Sequence, residues 1–277
     1  MPTKRVNGVE LYYEEHGQGR PVLFHHGYTG SHDGWETVIP LLADRYRCIA
    51  MDARGAGESE RAGGGYTIAQ YAADVVGMAD ALGLDRFTYV GHSMGGGIGM
   101  WLGLEHAARL DRLVLVASIP ADGTVSDPAL HERAAEQRRA ADAEGMFRQR
   151  RALAARPESL DESRVRRAVQ RALSVSEGHF EDSWRAMRDL RVGERLASLT
   201  TPTLVIAGAA DGLLQANLTD FMRLPNATLH VFSRVGHGVP TDTPDRVAEV
   251  LADFMEHGVV NNATLQARLQ EVTAGTR

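Results

Sequence analysis

The chain has 277 residues, 43% hydrophobic and 24% charged, with a net charge of −6, which suits one large α/β domain carrying an insertion. Acids and bases are scattered, so no nucleic-acid footprint is expected, and the apolar runs are too short to cross a bilayer. A single cysteine, Cys48, excludes an internal disulfide. No apolar segment follows Lys4-Arg5 as a secretory leader would require, and the two observations together point to the cytoplasm.

The elements follow in chain order. Residues 4–15 alternate apolar and polar around Asn7-Gly8, the signal of a hairpin. Pro21 to His26 is a short apolar strand ended by Gly27. Trp35 to Leu42 has helical spacing, and Tyr46 to Met51 is a second apolar strand that runs into Asp52-Ala53-Arg54-Gly55-Ala56-Gly57. Thr67 to Leu82 is spaced as a helix and stops at Gly83. Arg86 to Val90 is a strand, Met94 to Ala108 a helix, and Leu110 to Ala117 a strand that is apolar almost throughout. Continuous apolar strands alternating with amphipathic helices imply a parallel sheet covered on both faces.

The rhythm breaks between Ala121 and Leu196. That segment reads as Arg- and Glu-rich helices, broken near Gly145, Pro157 and Gly178. Strand and helix then resume at Thr203–Gly208, Leu214–Met222, Ala227–Phe232 and Pro244–Met255. The expected organisation is a core over 1–120 and 196–257, a helical insertion over 121–195 and a polar tail over 258–277. That tail carries a Leu265/Leu269/Val272 stripe, read as a frayed helix or a docking segment.

The stretch Gly91-His92-Ser93-Met94-Gly95 sits where the strand ending at Val90 meets the helix beyond it. A serine on such a turn must adopt a strained backbone for its hydroxyl to stand clear of the sheet, and residues two positions either side must be tiny. Gly91 and Gly95 meet that need, which marks Ser93 as a candidate nucleophile. Serine needs a base, and the base needs an acid to orient it. His237, in Val235-Gly236-His237-Gly238, lies after the last strand at the sheet edge where open α/β sheets build sites. Asp211 follows the strand before it, so the order is Ser93, Asp211, His237. Asp122, after the sixth strand, is the rival acid. Asp220 and Asp242 read as helix-surface and helix-start residues. The backbone N–H groups of Met94 and Tyr28 are the candidate oxyanion donors. The Tyr28 side chain is open to two readings, loop packing or a part in the pocket.

With these residues placed, the chain resembles the α/β-hydrolase-fold enzymes over residues 4–257. The matching stretches are "HHGYTGSHDGW", "DARGAGES", "GHSMGG", "GAAD" and "VGHG". The resemblance implies a mostly parallel eight-stranded sheet with helices on both faces and a cap formed by residues 121–195. It implies Ser93 as nucleophile, His237 as base, Asp211 as acid, and Tyr28 and Met94 as oxyanion donors. Within the superfamily the chain is most similar to small esterases and lactonases, including enol-lactonase-like members. It departs from the dehalogenase and epoxide-hydrolase branches, which carry aspartate at the Ser93 position. It departs from the usual enol-lactonase pattern at His26 and His92.

The expected substrate is a small ester or lactone. No cofactor, nucleic acid or membrane partner is expected, and a homodimer is allowed. C–C bond cleavage in a β-diketone, perhydrolysis, and a non-catalytic small-molecule receptor are the alternatives. His25, His26 and His92 are read as structural hydrogen-bonding residues, since no carboxylate or cysteine completes a zinc pattern. Asp52, Arg54 and Ser59 are read as loop-fixing residues. Among the arginines of the insertion, Arg148 or Arg151 is a candidate for receiving a substrate carboxylate.

Overall fold

The computed structural model describes residues 2–125 and 127–274. Asn7 and Gly8 both have positive φ, 49° and 83°. That is the two-residue turn that matches the natural twist of paired strands. It joins β1 (Thr3–Val6) to β2 (Val9–His16), with Val6 opposite Val9. The chain then forms β3 (Arg20–His25), β4 (Tyr46–Met51), α1 (Ile68–Ala81), β5 (Phe87–His92), α2 (Met94–Glu105) and β6 (Leu110–Val116). Four helices follow before the sheet resumes: α3 (Pro128–Arg139), α4 (Ala143–Ala152), α5 (Glu162–Ser174) and α6 (Glu177–Asp189). The chain continues through β7 (Thr203–Gly208), α7 (Leu214–Arg223), β8 (Ala227–Phe232), α8 (Val239–Asp242), α9 (Pro244–His257) and α10 (Asn262–Ala274).

The eight strands lie in the order β1-β2-β4-β3-β5-β6-β7-β8. Only the β1–β2 and β2–β4 pairs are antiparallel. Alternate side chains of each strand serve two cores, as a two-residue period requires. Leu23, Tyr89, Leu113 and Val205 pack toward α1 and α2. Val22, Phe24, Val90, Val114 and Ile206 pack with Trp35 on one side and with Leu251 and Phe254 of α9 on the other. Cys48 lies in this second core, fully buried, and burial raises its thiol pKa to about 12.

From β3 the chain moves to β4 on one side, and β5 then takes the other side, with His25 beside Gly91 at the carboxyl ends. A crevice opens at such a reversal, and the segments leaving β3 and β5 border it.

Two local expectations are corrected and one is refined. Trp35–Leu42 is not one helix but belongs to two 3-10 turns, His32–Trp35 and Ile39–Leu41. Pro40 lacks the N–H a continuous helix would use, although Trp35, Val38, Ile39 and Leu42 are buried at the expected spacing. The helical segment is interrupted at 140–142, 153–161 and 175–176, near Gly145, Pro157 and Gly178 as expected, but the two glycines are themselves helical. Each lies in a first turn, behind the caps Asp142 and Ser176. Asp220 is not a helix-surface residue. It is buried and accepts the Ala121 N–H at 2.9 Å, and burial raises its pKa to about 6. Asp242 closes α8 just before α9 begins and accepts the Gly236 N–H at 3.3 Å. No described helix is long and apolar enough to cross a membrane.

Candidate active site

Ser93 caps α2 with φ 55° and ψ −112°, a conformation that non-glycine residues adopt only under constraint. The constraint is the packing of α2 against the sheet. A Cβ on Gly95 would stand 2.7 Å from the His25 carbonyl oxygen and 2.9 Å from that of His26. A Cβ on Gly91 would collide with the Gly95 backbone. Strand and helix therefore meet closely enough to force the sharp bend. The Ser93 N–H is held by the Val116 carbonyl at 2.9 Å.

The loop after β8 brings His237 over this bend. Its Nε2 is 3.0 Å from Ser93 Oγ, and its Nδ1 is 2.9 Å from Asp211 Oδ2. Asp211 stands just past β7, on the same sheet edge. Three residues spread over 145 positions of chain thus form one hydrogen-bonded relay. Asp122, the rival acid, is elsewhere and pairs with Arg223 at 2.6 Å. Burial disfavours the Asp211 carboxylate, but the hydrogen bond and charge of His237 outweigh it, so its pKa falls below the ordinary value. Such a relay can take the proton of a serine hydroxyl as it attacks a carbonyl.

The Met94 N–H opens α2, where helix N–H groups lack intrahelical acceptors. Tyr28 lies in the turn after β3. Gly27 in that turn sits so close to the serine that a Cβ there would be 2.9 Å from Ser93 Cβ. The Tyr28 hydroxyl donates to the Phe180 carbonyl of α6, and its ring stacks on His179. Of the two readings for this side chain, packing is the one the structure shows.

The profile of the alpha/beta hydrolase fold matches residues 20–242. The chain belongs to the α/β-hydrolase family. It is 30% identical to a non-heme haloperoxidase of Rhodococcus erythropolis, over 90% of this chain and 97% of the relative. It is also 30% identical to a 2-hydroxymuconate semialdehyde hydrolase of Pseudomonas putida, over 90% and 91%. A solved structure described as an N-acyl homoserine lactone degrading enzyme superposes with a TM-score of 0.78 at 29% identity. It covers 91% of this chain and 100% of that one.

In this α/β-hydrolase the histidines around the relay have structural partners. His92 Nε2–H donates to the His237 carbonyl at 2.8 Å, and its ring stands edge-on to Trp35. His26 Nδ1–H donates to the Gly27 carbonyl at 2.7 Å, while its Nε2 accepts the Ala53 N–H at 3.0 Å. His25 Nδ1–H donates to the His26 carbonyl at 2.9 Å. Burial lowers all three pKa values, those of His25 and His92 to about 3. They therefore act as fixed neutral struts. The sequence reading assigns them hydrogen bonding but not these partners. His92 holds the backbone of the very residue that faces Ser93, and nothing in the local sequence announces that.

The loop after β4 is similarly fixed. Asp52 accepts from the His32 N–H and Nδ1 and from the Glu58 N–H, at 2.6, 3.0 and 2.7 Å. Arg54 forms a two-pronged buried pair with Asp74 at 2.6 and 2.7 Å. Ser59 Oγ donates to the Asp52 carbonyl at 2.8 Å. No group of three or more metal-ligating side chains is present among the described residues.

Proposed function

We propose that this protein is a serine hydrolase of small carboxylic esters or lactones. The observation that carries the reading is the relay Ser93–His237–Asp211 on a strained serine at the crevice of the sheet. Ser93 Oγ attacks the carbonyl carbon and its proton passes to His237 Nε2. The N–H groups of Tyr28 and Met94 hold the oxyanion. The tetrahedral species collapses, and His237 gives its proton to the departing alkoxide. Water then attacks the acyl-enzyme, with His237 taking its proton, and the acid leaves as Ser93 is regenerated. Asp211 keeps the imidazole in the tautomer that presents a bare Nε2 to the serine. The helices α3–α6 form the lid of the pocket in this reading.

A proton-release assay over short esters, lactones and β-diketones tests it. The wild type is expected to turn over an ester or lactone, and Ser93→Ala is expected to lose at least about 10³-fold. Equal turnover by Ser93→Ala would overturn the nucleophile. The relatives named for haloperoxidase and semialdehyde-hydrolase activity support a second reading, perhydrolysis or C–C cleavage by the same relay. Peracid formation from acetate and peroxide, or turnover of the β-diketones alone, would select it.

A further inference from the structure

The arginines of α3–α6 are mostly spoken for. Arg139, Arg151, Arg164, Arg166 and Arg167 each hold a glutamate. Arg150 makes no hydrogen bond, ion pair or ring contact with any described residue, and burial alone lowers its pKa. Its position on α4 makes this unusual. Asp142 caps that helix by accepting the Gly145 N–H at 2.8 Å, which sets the phase of the turns that follow. Phe147 is the buried residue of α4, and Met146 and Arg150 are half-buried, whereas Glu144, Arg148, Gln149 and Arg151 are exposed. Residues three and four apart share a helix face, so Arg150 belongs to the inner stripe with Met146 and Phe147. A guanidinium on an inner stripe without a counter-charge is costly unless an anion comes to it.

The chain leaving α4 runs to the His237 loop. Arg156 donates to the Asp242 carbonyl at 2.8 Å, and a Cβ on Gly236 would stand 3.7 Å from the Ala155 Cβ. α4 ends at Ala152, but the turn runs on, with the Leu153 N–H donating to the Gln149 carbonyl and the Ala154 N–H to the Arg151 carbonyl, so Arg150 lies about 8 Å along the chain axis from Ala155. The end of α4 that carries Arg150 thus leads to the loop that carries His237. The two arginines the sequence favours for this role do not fit it: Arg151 is exposed and pairs with Glu162, and Arg148 is on the outer face.

We propose that Arg150 is a specificity residue that receives a carboxylate borne by the substrate at the end remote from the scissile carbonyl. A planar guanidinium matches a carboxylate with two parallel hydrogen bonds. One positive charge balances a monoanion. The inference rests on the ester-hydrolase reading for its geometry, since the carbonyl must reach Ser93 while the carboxylate reaches Arg150.

The experiment compares 4-nitrophenyl pentanoate with the mono-4-nitrophenyl ester of glutaric acid, which carries a carboxylate in place of the terminal methyl. The readout is the ratio of kcat/KM for the charged over the neutral ester. In Arg150→Gln this ratio is expected to fall about tenfold or more, through KM of the charged ester, the scale of one charge-assisted contact. Arg150→Lys should recover part of it, and Arg151→Gln should keep the wild-type ratio. An unchanged ratio in Arg150→Gln overturns the proposal. A parallel measurement needs no turnover: glutarate should raise the Tm of Ser93→Ala but not of the Ser93→Ala/Arg150→Gln protein. If neither ester is hydrolysed by the wild type, the ester-hydrolase reading fails, and the glutarate shift still decides Arg150. Without ligand, Arg150→Gln should melt at or above the wild-type temperature, because it removes an uncompensated charge. A clear fall in Tm would assign Arg150 a structural role instead.

Discussion

At the scale of single residues, the site depends on which way each nitrogen of His237 points. Asp211 accepts from Nδ1, so Nε2 is left with a lone pair toward Ser93. His92 pins the His237 backbone from below. In the proposed mechanism Asp211→Asn keeps the shape of the site but no longer enforces that tautomer. A loss in kcat of about 10³- to 10⁴-fold is the expected outcome. Asp122→Asn is the matched control, because Asp122 is exposed and its carboxylate pairs with Arg223 away from the relay. Steady-state kinetics on both variants separate the two acids. Comparable losses in both would return the acid's role to Asp122.

At the scale of elements, the bend between β5 and α2 is set by backbone contact rather than by side chains. Gly95→Ala places a methyl against the His25 and His26 carbonyls, which belong to the turn that carries Tyr28. The His25 carbonyl is held because β3 is bonded on both sides, and the His26 carbonyl accepts the His25 Nδ1–H at 2.9 Å. A loss of about 1–3 kcal/mol is expected from the overpacking, together with a collapse of activity as Ser93 and the Tyr28 turn separate. Gly63→Ala, where a Cβ meets nothing within 4 Å, should do neither. Thermal melts and ester assays on the pair test this. A stable, active Gly95→Ala protein would show that the bend tolerates a side chain.

Much of this element structure is legible in the sequence, because the parallel strands are buried on both faces and appear as short continuous apolar runs. The site residues are legible for a related reason, each lying where such a run stops at the same sheet edge. What escaped was helical phase and start. Asp142 and Ser176 cap α4 and α6, so Gly145 and Gly178 are first-turn residues rather than breaks. Among Arg148, Arg150 and Arg151 the inner residue is fixed only once the start of α4 and the burial of Phe147 are known. Asp220 escaped because its partner, the Ala121 N–H, is 99 residues away.

At the scale of the whole molecule, stability should depend on pH through histidines that the fold keeps neutral. His25 and His179 are buried and His92 is half-buried in the packed structure, and desolvation lowers each pKa to about 3. In the unfolded chain each titrates near 6.5. Between these values the unfolded state binds a proton that the folded state refuses, so stability falls as pH falls. Each histidine then costs up to about 1.4 kcal/mol per pH unit. From pH 6.5 to 5.0 the three together remove about 5 kcal/mol, a large share of the 5–15 kcal/mol of a typical domain. His32 works with the opposite sign. Burial opposes its charge, but Asp52 overcomes this and raises its pKa. Its contribution is therefore complete below the unfolded value of about 6.5 and is lost as pH rises through the folded value. The Asp52 carboxylate is held low despite its burial by His32 and the neighbouring donors. Its contribution is lost only as pH falls below the ordinary carboxylate range, toward its folded value. Asp220 offsets part of the histidine loss, since its carboxyl, raised to about 6, holds a proton at pH 5.0 that the unfolded chain releases. Urea unfolding at pH 6.5, 5.5 and 5.0 should thus show a decline, with about two protons net taken up per molecule unfolded at pH 5.0. His32→Gln should leave that decline in place and flatten the loss above pH 6.5. A flat profile between pH 6.5 and 5.0 would mean that the buried histidines accept protons within the fold, and the neutral struts around Ser93 would then have to be reconsidered as titrating groups.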